Sequence, residues 1–345
     1  MTESRTINGA SAHTLVYLKL VAVSVIWGGT FVAGRYLAAT PPMLSACLRF
    51  VLASLTLGLL LVFMRKPLAR IDAKQFLHLA ALGFFGIFTY NVCFFYGLAH
   101  VSASRASWIV ALNPAVIALA AFVCFRESLS RLKMGGIALC LVGAATVILG
   151  KSPDALAQPS GRWTGDLAIL GCVASWVIYS VFSRSLSRAI GPLHTVTYSI
   201  WIGSLMLIAA ALASGQLTIE SLAAFAESDN APPRLLSLLY LGAVGSALAY
   251  VWYYDAIRKI GATRSGVFIA LNPLTAVLLG ALLLDERLSL PMFAGGTLVI
   301  LGIVLCNKPP RSGCEKVLTA RPSRPILTAW RTSGEAHRQE KWHRT

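Results

Sequence analysis

Ionisable side chains are scarce in this sequence. Asp, Glu, Lys and Arg together make up 13% of its 345 residues, about half of the share usual in soluble domains. Carboxylates are the scarcer sign, 14 against 30 basic residues, and none falls near the middle of an apolar run. That excludes a carboxylate pair at membrane depth. Neither HExxH nor GxSxG occurs, and the histidines are isolated, so the chain is not expected to be an enzyme, and no metal or cofactor is expected. The seven cysteines form no CxxC. Cys47, Cys93, Cys124, Cys140 and Cys172 lie within or at the ends of apolar runs, where cysteine acts as a small hydrophobe, so neither disulfides nor zinc are argued. The first long apolar run is not followed by a cleavage site of the signal-peptide kind.

What is abundant is apolar length. Hydrophobic residues make up 56% of the chain, and many runs reach the roughly 20 residues that cross a ~30 Å hydrocarbon core. Their Ala, Gly and Leu content suits helices rather than the short alternating strands of a barrel. Ten spans are predicted: Val16 to Tyr36, Leu44 to Phe63, Phe76 to Gly97, Arg105 to Phe125, Lys133 to Gly150, Asp166 to Arg184, His194 to Ser214, Leu235 to Ile257, Thr263 to Leu284 and Pro291 to Cys306. With the N terminus inside, the outer loops hold only Arg35, Arg105, Lys151, Arg162, Arg234 and Arg287. Except for Lys19 and Arg49, which lie within spans, every other Lys and Arg is then cytoplasmic, as the positive-inside rule requires, and so are both termini.

The chain is also a duplication. Leu112 to Gly143 recurs at Leu271 to Gly302 without a gap, at a shift of 159. Leu112-Asn-Pro114 returns as Leu271-Asn-Pro273, Glu127 as Glu286, and Gly136 and Gly143 as Gly295 and Gly302. Five spans per half is an odd number, so the second copy enters the membrane inverted, which is a transporter signature. The expected layout is a cytoplasmic segment at 1–15, a first repeat at 16–150, an external linker at 151–165, a second repeat at 166–306 and a basic, disordered cytoplasmic tail at 307–345.

Val25-Ile-Trp-Gly-Gly-Thr-Phe31, Leu48-Arg49-Phe50, Leu112-Asn-Pro114 with Glu127-Ser-Leu129, and Leu271-Asn-Pro273 with Asp285-Glu-Arg-Leu288 resemble the ten-helix EamA-type members of the drug/metabolite transporter superfamily. The resemblance runs from about Val16 to Cys306. It implies an all-α integral membrane protein of two inverted five-helix repeats around a central cavity, with the fifth and tenth helices behind it. It also implies movement of small metabolites, often amino acids or related compounds, usually outward.

Independently of that name, helix geometry places Asn113 and Asn272 about 4 Å to either side of the midplane, at ~1.5 Å per residue from the span ends. Pro114 and Pro273 each remove a backbone donor and are expected to break the helix and free a carbonyl one turn back, at Ile109 or Phe268. The asparagines either contact substrate or kink the helix and bond the freed backbone. Trp27 matches Trp176 at a shift of 149, and Asn91 matches Tyr250 at 159. These four either line the cavity or pack between helices. Arg49, about 7 Å deep at five residues into its span, either snorkels outward and anchors to a carbonyl or binds a substrate carboxylate. Glu127 and Glu286 end their spans as turn caps, as salt-bridge partners of Arg126 or Arg287, or as a gate. The paired glycines read as close packing within one chain or as a dimer face, leaving a monomer or homodimer.

The expected function is export of a small metabolite or drug-like solute across the inner membrane by alternating access, with a receptor or structural membrane protein as the alternative and an intramembrane enzyme as the lesser one. Its partners are a small-molecule substrate and membrane lipid, with no nucleic acid. Proton coupling needs a titrating group in the pathway. Only Asp166 and Asp255, both at span ends, are left for that role, so facilitated diffusion or exchange is expected.

Overall fold

In the second apolar run, Ala46, Phe50, Ala53, Leu57 and Leu61 are buried at helical spacing, while Leu55, Leu59 and Val62 on the opposite face are 60%, 71% and 76% exposed. A helix apolar on both faces suits a lipid surround on one side and a packed bundle on the other. This is the general pattern of the computed structural model, which describes residues 3–125, 130–149, 162–227, 231–260, 265, 268–269, 271–286 and 288–307. The tail, Glu127 and most of the 151–165 linker lie outside those residues.

Among the described residues the regular structure is helical. The helices are α1 (Glu3–Tyr36), α2 (Pro42–Phe63), α3 (Ala73–His100), α4 (103–125), α5 (Arg131–Leu149), α6 (Arg162–Ala189), α7 (Pro192–Ala213), α8 (231–260), α9 (Asn272–Leu283) and α10 (Leu290–Asn307). Seven of them, α1 to α4 and α6 to α8, are long and apolar enough to cross a membrane. The reading of ten spans rests in addition on α5 and on the shorter apolar helices α9 and α10.

Local chemistry sets the ends. Asp72 and Gln75 form a reciprocal capping box that starts α3. Pro42 and Pro192 occupy the first positions of α2 and α7, where a missing N–H costs nothing. The loop between α7 and α8 carries a short helix, Ile219–Glu227, and the Gln216 side chain of that loop accepts the Met43 N–H at 3.1 Å.

The contacts come in related pairs. Helices α5 and α10 pack back to back through their glycines: a Cβ on Gly136 would sit 2.6 Å from the Gly302 carbonyl, and one on Gly143 would sit 2.6 Å from that of Gly295. The repeated small residues therefore serve close packing within the chain. Ser54 and Ser204 hold equivalent places in α2 and α7, and their hydroxyls hydrogen bond at 2.8 Å. The equivalent Trp27 and Trp176 meet edge to face at 6.0 Å. Residues related by the sequence repeat thus touch one another, as a twofold relation between the halves requires.

Two features depart from a plain helical reading. Helix α3 winds as a π-helix over Gly83–Thr89, and α8 does so over Tyr240–Leu248, at corresponding places in the repeat. Each has two glycines pressed against neighbours. A Cβ on Gly86 would meet the Tyr179 ring at 2.1 Å, and one on Gly242 the Arg49 carbonyl at 2.9 Å. Second, the carbonyls of Ile109 and Phe268 are not left open. The Ile109 carbonyl accepts from Leu112 N–H and the Phe268 carbonyl from Leu271 N–H, and the Ser24 hydroxyl also donates to Phe268. Each Asn-Pro therefore opens a new helical segment, Asn113–Phe125 or Asn272–Leu283, whose first turn needs no proline N–H.

Candidate functional site

Four helices bring an aromatic wall to the centre of residues 1–308, which form one compact unit. Trp27 of α1 lies 5.7 Å from Tyr250 of α8 and 6.0 Å from Trp176 of α6, while Trp176 and Tyr250 are 5.8 Å apart. Tyr90 of α3 closes the group at 5.7 Å from Trp176. The three pairs among Trp27, Trp176 and Tyr250 are edge to face, the arrangement that ring quadrupoles favour. Trp27 is held in place by its indole N–H, which donates to the Gly245 carbonyl at 3.0 Å. That carbonyl belongs to the π-helical stretch of α8, so the irregular winding positions a cavity residue directly.

Arg49 does not snorkel. It is 4% exposed and turns inward, its Nε donating to Ser246 Oγ at 2.9 Å and its Nη1 to Asn91 Oδ1 at 3.1 Å. Depth counted along a helix says how far in a residue lies but not which way it faces, and α2 directs this face at α3 and α8. The guanidinium also lies 5.3 Å from the Phe50 ring and 5.5 Å from that of Phe94. Asn91 is fixed in turn, donating to the Ile87 carbonyl at 2.8 Å. Every partner of Arg49 here is neutral. Among the described residues no carboxylate pairs with it, since Asp166 pairs with Arg105 and Asp255 with Lys259.

Asn113 and Asn272, 4% and 8% exposed, complete the site. Their Oδ1 atoms are buried and accept no hydrogen bond among the described residues. An orphaned buried acceptor costs about 1–3 kcal/mol, and these two stand at matched places on opposite repeats.

One cavity of about 50 Å³ touches Trp27, Arg49, Asn113, Trp176, Tyr250 and Asn272, six of the seven cavity candidates. The seventh, Asn91, stands behind it and holds Arg49. A space of this size takes a few water molecules, so a metabolite enters only if helices part. A larger cleft of about 510 Å³ opens at the bundle end between Arg35, Tyr36, Pro233 and Arg234. Its remaining lining is alanine, whereas the central cavity gathers aromatic rings, Arg49 and two asparagines from both repeats and is therefore the better candidate.

Sequence reasoning missed Thr30, Phe31, Tyr90 and Phe94, which also line the cavity, and Ser246, which binds Arg49. A signal for Ser246 was present. Gly83 and Gly86 return as Gly242 and Gly245 at the same shift of 159, marking the π-helical stretches and the serine beside the second of them.

Charged groups gather at one end of the bundle. Asp166, 1% exposed, accepts a two-pronged bond from Arg105 at 2.7 and 2.9 Å, and Arg105 also donates to the Val147 carbonyl. Glu286 caps another helix rather than its own turn, accepting the N–H groups of Ala103 and Ser104 at 2.7 and 3.0 Å and the Ser104 hydroxyl. Asp255, away from this end, pairs with Lys259 at 2.7 Å. Arg126 and Arg287 lie outside the described residues.

The profile of the EamA-like transporter family matches this chain twice, over residues 14–149 and 163–308. "Uncharacterized transporter YyaM" of Bacillus subtilis is 28% identical over 86% of this chain and 94% of its own length. "Uncharacterized transporter YetK" of the same organism is 26% identical over 85% and 88%. A "Probable terminal-alkyne amino-acid exporter" of Streptantibioticus cattleyicolor is 26% identical over 71% and 76%. A solved crystal structure has the same fold, with a TM-score of 0.61 at 19% identity over 85% of this chain and 97% of that one.

Proposed function

Because the chain belongs to the EamA-like transporter family, and is thus an all-α, multi-pass integral membrane protein, we propose that it exports a small metabolite through the cavity between its two halves. The solute is an amino acid, a related compound or a drug-like molecule, and the route is alternating access across the inner membrane. The observation that carries this reading is the pair of orphaned amide oxygens, Asn113 Oδ1 and Asn272 Oδ1, one from each repeat on a single cavity. Inverted repeats with binding groups at their interface are how such carriers expose one site to either side in turn. The name of the Streptantibioticus relative, an amino-acid exporter, is in keeping with the direction and the solute class.

Both termini are cytoplasmic in this reading, on the bias of Lys and Arg in the loops. The bundle end that holds Glu286, Arg105 and Asp166 then faces outward, and their bonds keep it shut. Transport is facilitated diffusion or exchange, because Asp166 is tied to Arg105 and Asp255 to Lys259, both away from the cavity.

The test is Asn113→Ala and Asn272→Ala in cells. Each is expected to cut export of the identified solute at least about tenfold with the amount of protein in the membrane unchanged. Equal loss of the protein from the membrane in both variants would instead assign the asparagines to packing.

A further inference from the structure

Arg49 is a buried cation to which the protein supplies only neutral partners. Elsewhere in the described chain buried charge is matched: Asp166 has Arg105 in two-pronged geometry. Removing a charge from water without a counter-ion is costly, and structures retain such a group where a ligand supplies the opposite sign. Two of the donors of the guanidinium fork are taken by Ser246 and Asn91, which fix its orientation and leave the rest of the fork open to a planar, two-oxygen acceptor. Beside it on the same cavity stand the Asn113 and Asn272 oxygens, which can only accept.

From this we infer that the substrate carries a carboxylate, which docks on Arg49, and an N–H or O–H donor at its other polar end, which meets the two amide oxygens. That describes α-amino and α-hydroxy acids. The inference rests on the transport reading and narrows it: amines without an acid group, neutral amides and esters are excluded as substrates, because each leaves Arg49 without a counter-ion. The rings of Trp27, Trp176 and Tyr250 receive the apolar remainder of the molecule. Arg49 is then a recognition residue, and Asn91 and Ser246 are positioning residues that act through it.

The experiment uses the purified full chain, with tryptophan fluorescence as the binding readout. The probes are the proteinogenic amino acids and their α-hydroxy counterparts, each beside its neutral amide, its decarboxylated amine and its deaminated acid. At least one amino or hydroxy acid is expected to bind saturably, with its amide at least ~tenfold weaker. Arg49→Gln removes that difference. Asn91→Asp removes it too, by placing an internal carboxylate where Oδ1 now stands 3.1 Å from Nη1, a change that would leave a merely structural arginine better paired. This second variant carries the test if Arg49→Gln does not fold. Asn113→Leu weakens the amino or hydroxy acid but not its deaminated form. The inference is overturned by an amide that binds wild type as tightly as its acid, by an acid preference that survives Arg49→Gln, or by a wild type that moves some solute across liposomes but binds no acid of the panel. A wild type that neither binds nor moves any solute sinks the transport reading as well.

Discussion

The Glu286 carboxylate accepts the Ser104 backbone N–H at 3.0 Å across 182 residues of sequence. It therefore caps a helix of the first repeat from the end of α9 in the second, joining the halves at the bundle end assigned to the outside. Replacing a helix cap by alanine costs about 1 kcal/mol, a shift of roughly fivefold between closed and open forms. Glu286→Ala is expected to speed the reaction of a membrane-impermeant thiol reagent, added outside, with Thr30→Cys in the cavity wall by about that factor. The background replaces the native cysteines. An unchanged rate would leave Glu286 as a cap without a part in closure.

The glycines of α5 make a sharper contrast. Gly143 has no space for a Cβ against the Gly295 carbonyl, whereas a Cβ on Gly135 would meet nothing within 4 Å. Gly143→Ala is expected to destabilise the protein in detergent by about 1–3 kcal/mol, the usual cost of overpacking. Gly135→Ala is expected to be neutral or to raise the melting temperature slightly, by helix propensity. Comparable losses for both would show that α5 does not hold its place through close contact with α10.

Labelling of single cysteines from either side checks the orientation. The 215–234 loop is expected to react from outside, and the C-terminal tail only after permeabilisation. A tail that labels from outside in intact cells would reverse the reading drawn from Lys and Arg.

In liposomes loaded with the identified solute, an imposed pH gradient is expected to drive no uphill accumulation. Asp166→Asn leaves Arg105 partly unmatched and is expected to lower stability by about 3–5 kcal/mol, the cost of breaking a buried pair. Accumulation driven by the gradient, and lost on neutralising Asp166 or Asp255 in a variant that still folds, would establish proton coupling.

The features legible in the sequence were those that depend on spacing along one chain. The repeat of Leu112 to Gly143 marked the duplication, and the glycine pairs marked the packed face of α5 and α10. Counting residues along helices placed Asn113 and Asn272 about 4 Å to either side of the midplane, and both line one cavity. What stayed hidden depends on partners far away in sequence. Arg49 faces inward because Asn91 and Ser246 receive it, 42 and 197 residues on. The carbonyls of Ile109 and Phe268 are occupied because each chain tightens into a short turn before restarting, a choice that a proline allows but does not impose. The π-helical stretches of α3 and α8 carry glycines on which neighbouring helices press, and the repeat of those glycines marks their place but not their winding.

The hydrogen bond between Ser54 and Ser204 has one more implication. A residue on a twofold axis meets its own copy, which is the signature of an isologous dimer. Helices α2 and α7 both run 22 residues from an initial proline, and in that register the place of Arg49 is taken by Ser199. A homodimer made from either half alone would carry two arginines there, or two serines, and its centre would be blind to which way round a cargo lay. Joining the halves in a single polypeptide lifts that restriction. One cation can stand on one side only, and the cargo then has a head and a tail.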